Sequence, residues 1–323
     1  MARIFVTRAL PGDALGRLAA EHAVEVWPEA DPPSPAALRA HAAAADGLLA
    51  MLPDQIDAGL LAAAPRLRVV ALLAVGYDNV DVAAATARRV LVTNTPGVLT
   101  ETVADLTFAL ILAQARRLPE ASAAVREGRW PAWRPAYLLG RDVHGATLGI
   151  VGLGAIGLAV ARRGRGFGMR VLYTSRRPPA EAATALDLER LDLDDLLRQS
   201  DYVSLHVALT PATRGLIGAR ELALMKATAV LVNTARGAVV DQDALTQALT
   251  RGQIGGAALD VFAEEPLAPD DPLLTLGNVV VAPHVGSATV ETRERMADLA
   301  VANLLAFFRS ERPPACVNPE ALA

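Results

Sequence analysis

Short apolar runs alternate with helix-like segments along the first hundred residues. The apolar runs have the length of β-strands and cover Arg3–Val6, Val24–Val26, Gly47–Ala50, Leu67–Leu72 and Val90–Val92. One segment between them, Ser34–Ala45, begins with a residue that favours a helix N-cap and has Pro35 at its first helical position. Strands that alternate with helices predict a parallel sheet with right-handed crossovers.

A second alternating series begins at Thr147. Its strand-length apolar runs lie near 147–152, 170–174, 202–206, 228–232, 256–260 and 278–282. Between the two series, Asn94–Gly97 has the composition of a turn, and a long apolar helix is predicted from Glu101 to Arg116. An amphipathic helix is predicted from Thr289 to Phe308, and its length lets it return to the first series. The pattern therefore predicts two α/β domains, the first of them discontinuous in sequence.

The second series opens with a glycine-rich motif between a strand and a helix. An apolar strand from Thr147 ends in Gly152-Leu153-Gly154-Ala155-Ile156-Gly157, and a helix is predicted from Leu158 to Gly166. In a G-x-G-x-x-G unit the first glycine permits a tight turn, the second lets backbone amides approach a pyrophosphate, and the third lets the helix pack closely on the strand. The helix N-terminus also favours the phosphates. Because the next strand follows at the correct spacing, the motif predicts a dinucleotide site.

The end of that next strand indicates which dinucleotide is bound. NAD sites place Asp or Glu there for the ribose 2′-hydroxyl, whereas an arginine accommodates a 2′-phosphate. Here the strand is followed by Ser175, Arg176 and Arg177, with no acid among them. Two guanidinium groups and a hydroxyl attract a phosphate that a carboxylate would repel. The sequence therefore predicts a preference for NADP(H); if both arginines are only solvated surface residues, NAD(H) is still tolerated.

Residues suited to catalysis follow three later strands, in the segments Asn233–Gly237, Asp260–Pro266 and Pro283–Thr289. Ligands of open parallel sheets bind beyond the carboxyl ends of the strands, so these segments bring an arginine, carboxylates and a histidine to the edge where the dinucleotide is expected. Each residue alone has an ordinary alternative as a surface arginine, a solvated acid or a helix-capping histidine. Their joint placement favours an active site.

Composition limits the other classes of function. A chain of 323 residues, 52% of them hydrophobic, is long enough for two domains, and a net charge of −4 argues against a nucleic-acid or membrane-surface partner. No apolar run reaches the length of about 18 residues that a membrane helix needs, and the first residues resemble a strand more than a signal peptide. The one cysteine, Cys316, excludes an internal disulfide, and no histidine pair has metal-ligand spacing. We expect no metal and a cytoplasmic location.

Five motifs, in order along nearly the whole chain, resemble the D-2-hydroxyacid dehydrogenase family. They are Val75–Asp81, the glycine-rich motif, Asn233–Gly237, Asp260–Pro266 and Pro283–Thr289. Three further segments are most similar to the glyoxylate/hydroxypyruvate reductase branch, namely the Trp-Pro-Ala-Trp loop at 130–133, Leu172–Arg176 and Leu209–Thr213. The resemblance implies an α/β fold of two Rossmann-like, doubly wound parallel-sheet domains with a cleft between them. Residues 1–97 plus 287–323 would form the substrate domain and residues 98–286 the dinucleotide-binding domain.

The resemblance also implies a reaction, the reduction of glyoxylate or hydroxypyruvate to its 2-hydroxy acid with NADPH. Arg236 is expected to grip the substrate carboxylate and polarise the carbonyl, and His284 to donate a proton to the developing alkoxide. Glu265 is expected to hold the imidazole by a hydrogen bond and to favour its charged form. The substrate-binding residues implied are Val75, Gly76 and Ser287, and the further cofactor-binding residues are Thr234, Ala235, Asp260 and Gly286.

Other interpretations remain open within this resemblance. D-3-phosphoglycerate, D-lactate-type and phosphite dehydrogenases belong to the same family, and dinucleotide-sensing corepressors without turnover share its fold. The family further implies a homodimer formed through the Glu101–Trp133 region. An aromatic side chain from the Trp130–Tyr137 loop is then expected to close the pocket of the partner subunit.

Overall fold

A computed structural model describes residues 1–176 and 180–322 of the chain. The chain divides into two compact units: Met1–Leu99 together with Ser287–Ala323 form unit 1, and Thr100–Gly286 form unit 2. Each unit is a parallel sheet with helices on its faces, which confirms the predicted α/β fold class. Among the described residues, no helix is both long and apolar enough to cross a membrane.

Unit 1 contains a five-stranded sheet with the order β2-β1-β3-β4-β5. Its strands are β1 (Arg3–Val6), β2 (Ala23–Val26), β3 (Gly47–Ala50), β4 (Val69–Leu72) and β5 (Leu91–Thr93). The central strands β3 and β4 are buried along their whole length, as expected where helices cover both faces of a parallel sheet. This order is that of flavodoxin-like doubly wound sheets.

Unit 2 contains a seven-stranded parallel sheet with the order β12-β11-β10-β9-β6-β7-β8. Its strands are β6 (Thr147–Val151), β7 (Arg170–Thr174), β8 (Glu189–Arg190), β9 (Tyr202–Leu205), β10 (Val230–Asn233), β11 (Gly256–Leu259) and β12 (Val279–Val281). The order reverses between β6 and β9, and dinucleotides bind at such a switch point in Rossmann-type sheets.

Twelve α-helices connect and cover the strands in the described part of the chain. They are α1 (Ala14–Ala19), α2 (Pro35–Ala44), α3 (Ala58–Ala63), α4 (Val82–Ala87), α5 (Thr100–Ala115), α6 (Leu118–Arg126), α7 (Ala155–Gly166), α8 (Ala180–Ala185), α9 (Leu193–Gln199), α10 (Ala219–Leu224), α11 (Gln242–Thr250) and α12 (Val290–Phe308). Side chains alternate across the sheet of unit 2: Tyr202 packs with α5 and α7, whereas Val203 packs with α9, α10 and α11.

Local signals set the helix ends. The predicted cap is confirmed at α2, where Ser34 Oγ accepts a hydrogen bond from Ala37 N at 3.2 Å. The first turn of α7 differs from the prediction, because the helix begins at Ala155 inside the glycine motif and not at Leu158. The last three motif residues are therefore already helical, and their N–H groups lie at the helix N-terminus.

The C-terminal segment belongs to unit 1 because buried polar side chains attach it there. Helix α12 packs against α1 and β4. The amide of Asn303 donates to Asn94 O at 3.1 Å, and Asn318 Oδ1 accepts from Val92 N at 2.7 Å. Both asparagines are fully buried. These bonds satisfy one main-chain group within β5 and one directly after it that would otherwise be costly to bury.

Candidate active site

The glycine motif forms a tight connection from β6 to α7. Gly152 has a φ of +98°, and a Cβ there would lie 2.7 Å from the carbonyl oxygen of His206, so only glycine fits. Gly154 precedes the helix without a side-chain cap, and its Cβ position faces open space. The first N–H groups of α7 are thus left for a ligand. This cradle fits the pyrophosphate of a dinucleotide.

The turn after β7 lies beside this motif. Thr174 O accepts a hydrogen bond from Gly152 N at 2.9 Å. Ser175 is half-buried and Arg176 is exposed, whereas Arg177, also predicted to bind the cofactor, lies outside the described residues. Arg190, which sequence reasoning missed, donates from Nη2 to Ser175 O at 3.2 Å. The described part of the turn therefore presents cations and a hydroxyl.

A buried asparagine shapes the turn that presents Arg236. Asn233 ends β10, and its Nδ2 donates to Arg236 O at 2.9 Å while its Oδ1 accepts from Ala235 N at 3.0 Å. The hydroxyl of Thr234 lies 3.0 Å from that of Thr107 on α5. Asn233 was missed as a site residue because it ends an apolar run and resembles an ordinary turn former. Its contacts fix the main chain from which the Arg236 side chain extends.

The turns after β10 and β11 touch each other at Gly237. A Cβ on Gly237 would lie 1.8 Å from the carbonyl atoms of Phe262, so any side chain there would force the two turns apart. Phe262 N in turn donates to Glu265 Oε1 at 3.0 Å. Glu265 is consequently held by its own loop, and its carboxylate feels the positive charge of Arg236.

His284 and Glu265 form a hydrogen-bonded pair, as the sequence predicts. His284 Nδ1 lies 2.6 Å from Glu265 Oε2, and the two side chains are 29% and 35% exposed. An ionised carboxylate can only accept, so Nδ1 carries the proton of this bond and Nε2 is the other ring nitrogen. The backbone of His284 is left-handed, with a φ of +54°. Since few non-glycine residues adopt this conformation, its surroundings must stabilise it.

Asp260 supplies that stabilisation from a fully buried position. Its carbonyl oxygen accepts from His284 N at 2.9 Å. Its carboxylate accepts from Val285 N at Oδ1 and from Gly286 N at Oδ2, both at 2.8 Å. Three consecutive N–H groups therefore converge on one residue. The predicted contact of Asp260 with the cofactor stays a prediction, and the structure adds this second role in holding the histidine turn.

The pKa values of Asp260 and Glu265 are shifted in opposite directions. Burial raises the pKa of Asp260, and the bonds from Val285 and Gly286 only partly oppose it. Burial acts in the same direction on Glu265, but the His284 bond, the Phe262 N–H and the charges of His284 and Arg236 outweigh it and lower the pKa. The stabilisation from ionised Glu265 is therefore complete above the ordinary value of 4.5 and is lost as the pH falls through the lowered value.

His206 follows β9, is half-buried and makes its hydrogen bonds within unit 2. Its Nε2 lies 2.8 Å from Ser204 Oγ, and its N donates to Val151 O at 2.8 Å. Burial lowers the pKa of the imidazole to about 3. The ring is neutral at any physiological pH.

The predicted substrate-binding residues belong to unit 1. Val75 and Gly76 follow β4 at the carboxyl edge of its sheet and are half-buried. Asn94 Nδ2 donates to Val75 O at 2.8 Å, which orients this peptide. Within residues 1–176 and 180–322, the N–H groups of Val75 and Gly76 have no acceptor. Ser287 is half-buried and opens the returning segment.

Comparisons with known proteins agree on one family. The family model described as "D-isomer specific 2-hydroxyacid dehydrogenase, NAD binding domain" matches residues 108–286. A glyoxylate reductase from Korarchaeum cryptofilum is 53% identical over 99% of this chain and 97% of its own length.

Solved structures have the same fold over nearly the whole chain. A protein from Thermus thermophilus superimposes with a TM-score of 0.92 at 50% identity, covering 98% of this chain and 99% of its own. An NADPH-dependent glyoxylate/hydroxypyruvate reductase from Sinorhizobium meliloti, solved with NADP and malonate, gives a TM-score of 0.87 at 37% identity over 99% of this chain and 97% of its own.

Replacing Asp260 by alanine is expected to loosen the turn at His284. The Val285 and Gly286 N–H groups then lose their acceptors, and their hydrogen exchange should accelerate by about tenfold for each bond lost. Exchange mass spectrometry on peptides covering 283–288 measures this directly. Glu264→Ala, an exposed acid in the neighbouring loop, is the control and should leave exchange unchanged. Equal protection in both variants would show that the turn is held by other contacts.

Proposed function

Because the chain belongs to the D-isomer specific 2-hydroxyacid dehydrogenase family, we propose that it reduces glyoxylate or hydroxypyruvate to the corresponding 2-hydroxy acid. The observation that supports this most directly is the 2.6 Å pair of His284 and Glu265 at the sheet edge that also presents Arg236. Reduction of a carbonyl needs a hydride at carbon and a proton at oxygen. The chain's own residues provide the proton and the charges that orient the substrate.

His284 is the proposed proton donor. Glu265 accepts from Nδ1 and, being ionised, stabilises the imidazolium from which Nε2 can donate to the developing alkoxide. The left-handed turn and the bond to Glu265 Oε2 hold the ring before the substrate arrives, which reduces the ordering needed at the moment of transfer. When the proton has left, the same pair remains hydrogen-bonded through Nδ1–H and can be protonated again at Nε2.

Arg236 is the side chain proposed to bind the substrate. Its guanidinium is planar, permanently charged and suited to a carboxylate or a keto oxygen. We assign the main-chain N–H groups of Val75 and Gly76 to the substrate carboxylate, with Ser287 beside them. Unit 1 would thus be the substrate domain and unit 2 the dinucleotide domain.

The proposed cofactor is NADP(H). The protein belongs to a family with a dinucleotide domain, and the cradle at 152–157 fits a pyrophosphate. The nicotinamide, when bound, supplies the hydride. Thr234, Ala235, Asp260 and Gly286 are assigned to it. Ser175 and Arg176, with Arg177, favour a 2′-phosphate by charge and hydrogen bonding, and this is the support for NADP over NAD.

A homodimer is the proposed assembly. Five large apolar side chains between 118 and 139 are exposed, Trp133 to 79%. They are Leu118, Val125, Trp130, Trp133 and Leu139. The exposure of several large apolar side chains within one segment favours an interface with another subunit. The single cysteine is consistent with a reducing cytoplasm, which is the compartment we propose.

The first expected outcome is turnover in a direct assay. Loss of absorbance at 340 nm with glyoxylate or hydroxypyruvate should be faster with NADPH than with NADH at limiting cofactor, because only the former carries the 2′-phosphate. Turnover with NADH alone would contradict the cofactor assignment but leave the reductase assignment in place. No turnover with either substrate and either cofactor would contradict the reductase assignment itself.

His284→Ala is expected to lower kcat by on the order of 10²–10⁴-fold, the usual contribution of a positioned general acid. The KM for NADPH should stay within about threefold, since the ring acts on the substrate oxygen. The matched control is His144→Ala, an exposed histidine of the same unit. A kcat near that of the wild type would remove His284 from the proton-donor role.

Trp133→Ser combined with Trp130→Ser is expected to shift the dimer toward monomer, because it removes two large apolar contacts. Sedimentation velocity at micromolar concentration measures the shift. Leu274→Ser, an exposed leucine elsewhere in unit 2, serves as the control and should sediment like the wild type. A wild-type protein that is monomeric throughout would refute the assembly.

A further inference from the structure

Arg190 lies at the end of the short strand β8, next to the turn that follows β7. The two strands pair in parallel with Tyr173 opposite Arg190, and Leu191 N donates to Tyr173 O at 3.0 Å. Parallel strands have their carboxyl ends at the same edge of a sheet, so pairing brings Arg190 to Ser175 although 15 residues separate them. The register of the edge strand therefore adds a cation to the turn.

A hydrogen bond fixes this guanidinium on the turn. Arg190 Nη2 donates to Ser175 O at 3.2 Å. The bond uses one of five N–H donors, so the group can keep it and still present a fork to a phosphate. Arg190 and Arg176 are both exposed, but the bond to Ser175 O restrains the Arg190 side chain, which then has less rotamer freedom to lose on binding.

The carboxylates closest in sequence to Arg190 are engaged elsewhere. Glu189 alternates to the other face of the strand, where it accepts from Arg170 at 2.6 and 3.1 Å. Asp187 pairs with Arg165 at 3.4 Å, and Asp192 caps α9 by accepting from Asp195 N at 2.9 Å. In the described ranges, 1–176 and 180–322, Arg190 forms no ion pair with a carboxylate. Its positive charge is left for a ligand at this edge.

We propose that Arg190 is a specificity-determining residue that binds the 2′-phosphate of NADP(H) together with Ser175 and Arg176. The inference rests on the proposed NADP(H) preference and extends it to a residue outside the motif that predicts it. Arg190 joins the site through strand pairing, contacts the turn from the side of β8, and adds its guanidinium to the two strand-end residues. The adenosine 2′-hydroxyl of NAD(H) offers it no charge to bind.

Isothermal titration calorimetry with four ligands tests the assignment without turnover. The ligands are NADPH, NADH, adenosine 2′,5′-bisphosphate and 5′-AMP, and the variants are Arg190→Gln, Arg190→Lys and the control Arg198→Gln. Arg198 is an exposed arginine on α9, which leads from this edge to the opposite end of the sheet. Its replacement makes the same change in charge away from the turn.

Arg190→Gln should raise the Kd of NADPH and of the bisphosphate by about 10–100-fold, the loss expected for a charge-assisted hydrogen bond. The Kd values of NADH and 5′-AMP should stay within about twofold of the wild type. Arg190→Lys keeps the positive charge but loses the planar fork of donors, so its Kd for NADPH should lie between those of the wild type and Arg190→Gln. The Kd of NADPH should also depend less steeply on salt in Arg190→Gln, because one charge pair is gone.

Two results would overturn the assignment while leaving the cofactor preference intact. Equal weakening of all four ligands would show that Arg190 only braces the turn, and unchanged binding of all four would place it outside the site. A wild-type protein that binds the bisphosphate no more tightly than 5′-AMP would refute the NADP(H) preference, and the role of Arg190 with it. Failure of the NADP(H) preference is therefore distinguished from failure of the Arg190 assignment by the wild-type titrations alone.

Discussion

The orientation of one imidazole ring depends on a carboxylate that never meets solvent. Asp260 gathers the N–H groups of His284, Val285 and Gly286 on its own carbonyl and carboxylate oxygens. Burying this carboxylate is unfavourable, as its raised pKa indicates, and the two charge-assisted bonds offset part of that cost. In return the histidine is held in a backbone conformation that it would rarely adopt alone. The Glu265 pair, and every chemical role assigned to His284, require that turn.

The sequence predicts well those features that depend on contiguous residues. The glycine motif needs a strand before it and a helix after it, and both lie there, although α7 begins three residues earlier than the apolar pattern indicates. The hydrogen bond between His284 and Glu265 is implied by the resemblance to the family, and the structure confirms it in the loops that follow the neighbouring strands β12 and β11. Continuous apolar runs identify the central strands, because these strands are buried on both faces of the sheet.

The sequence cannot predict contacts that depend on strand register or on a single side chain folding back. Asn233 ends an apolar strand like any turn former, and only the structure shows that its amide bridges Ala235 and Arg236. Strand β8 is two residues long and polar, so no hydrophobic pattern predicts it. The contact of Arg190 with Ser175 could therefore not be predicted from the sequence. Such residues are found only when the pairing of distant segments is known.

The strand order of unit 2 separates two tasks on opposite sides of the point where it reverses. The turns after β10, β11 and β12 present the arginine, the carboxylates and the histidine, whereas the ends of β7 and β8 present the groups proposed to distinguish one dinucleotide from the other. Substitutions distant in the sheet with no shared partners act nearly additively. If the proposed roles hold, the preference for one dinucleotide can therefore be changed at the ends of β7 and β8 without altering the turns that present His284, Glu265 and Arg236.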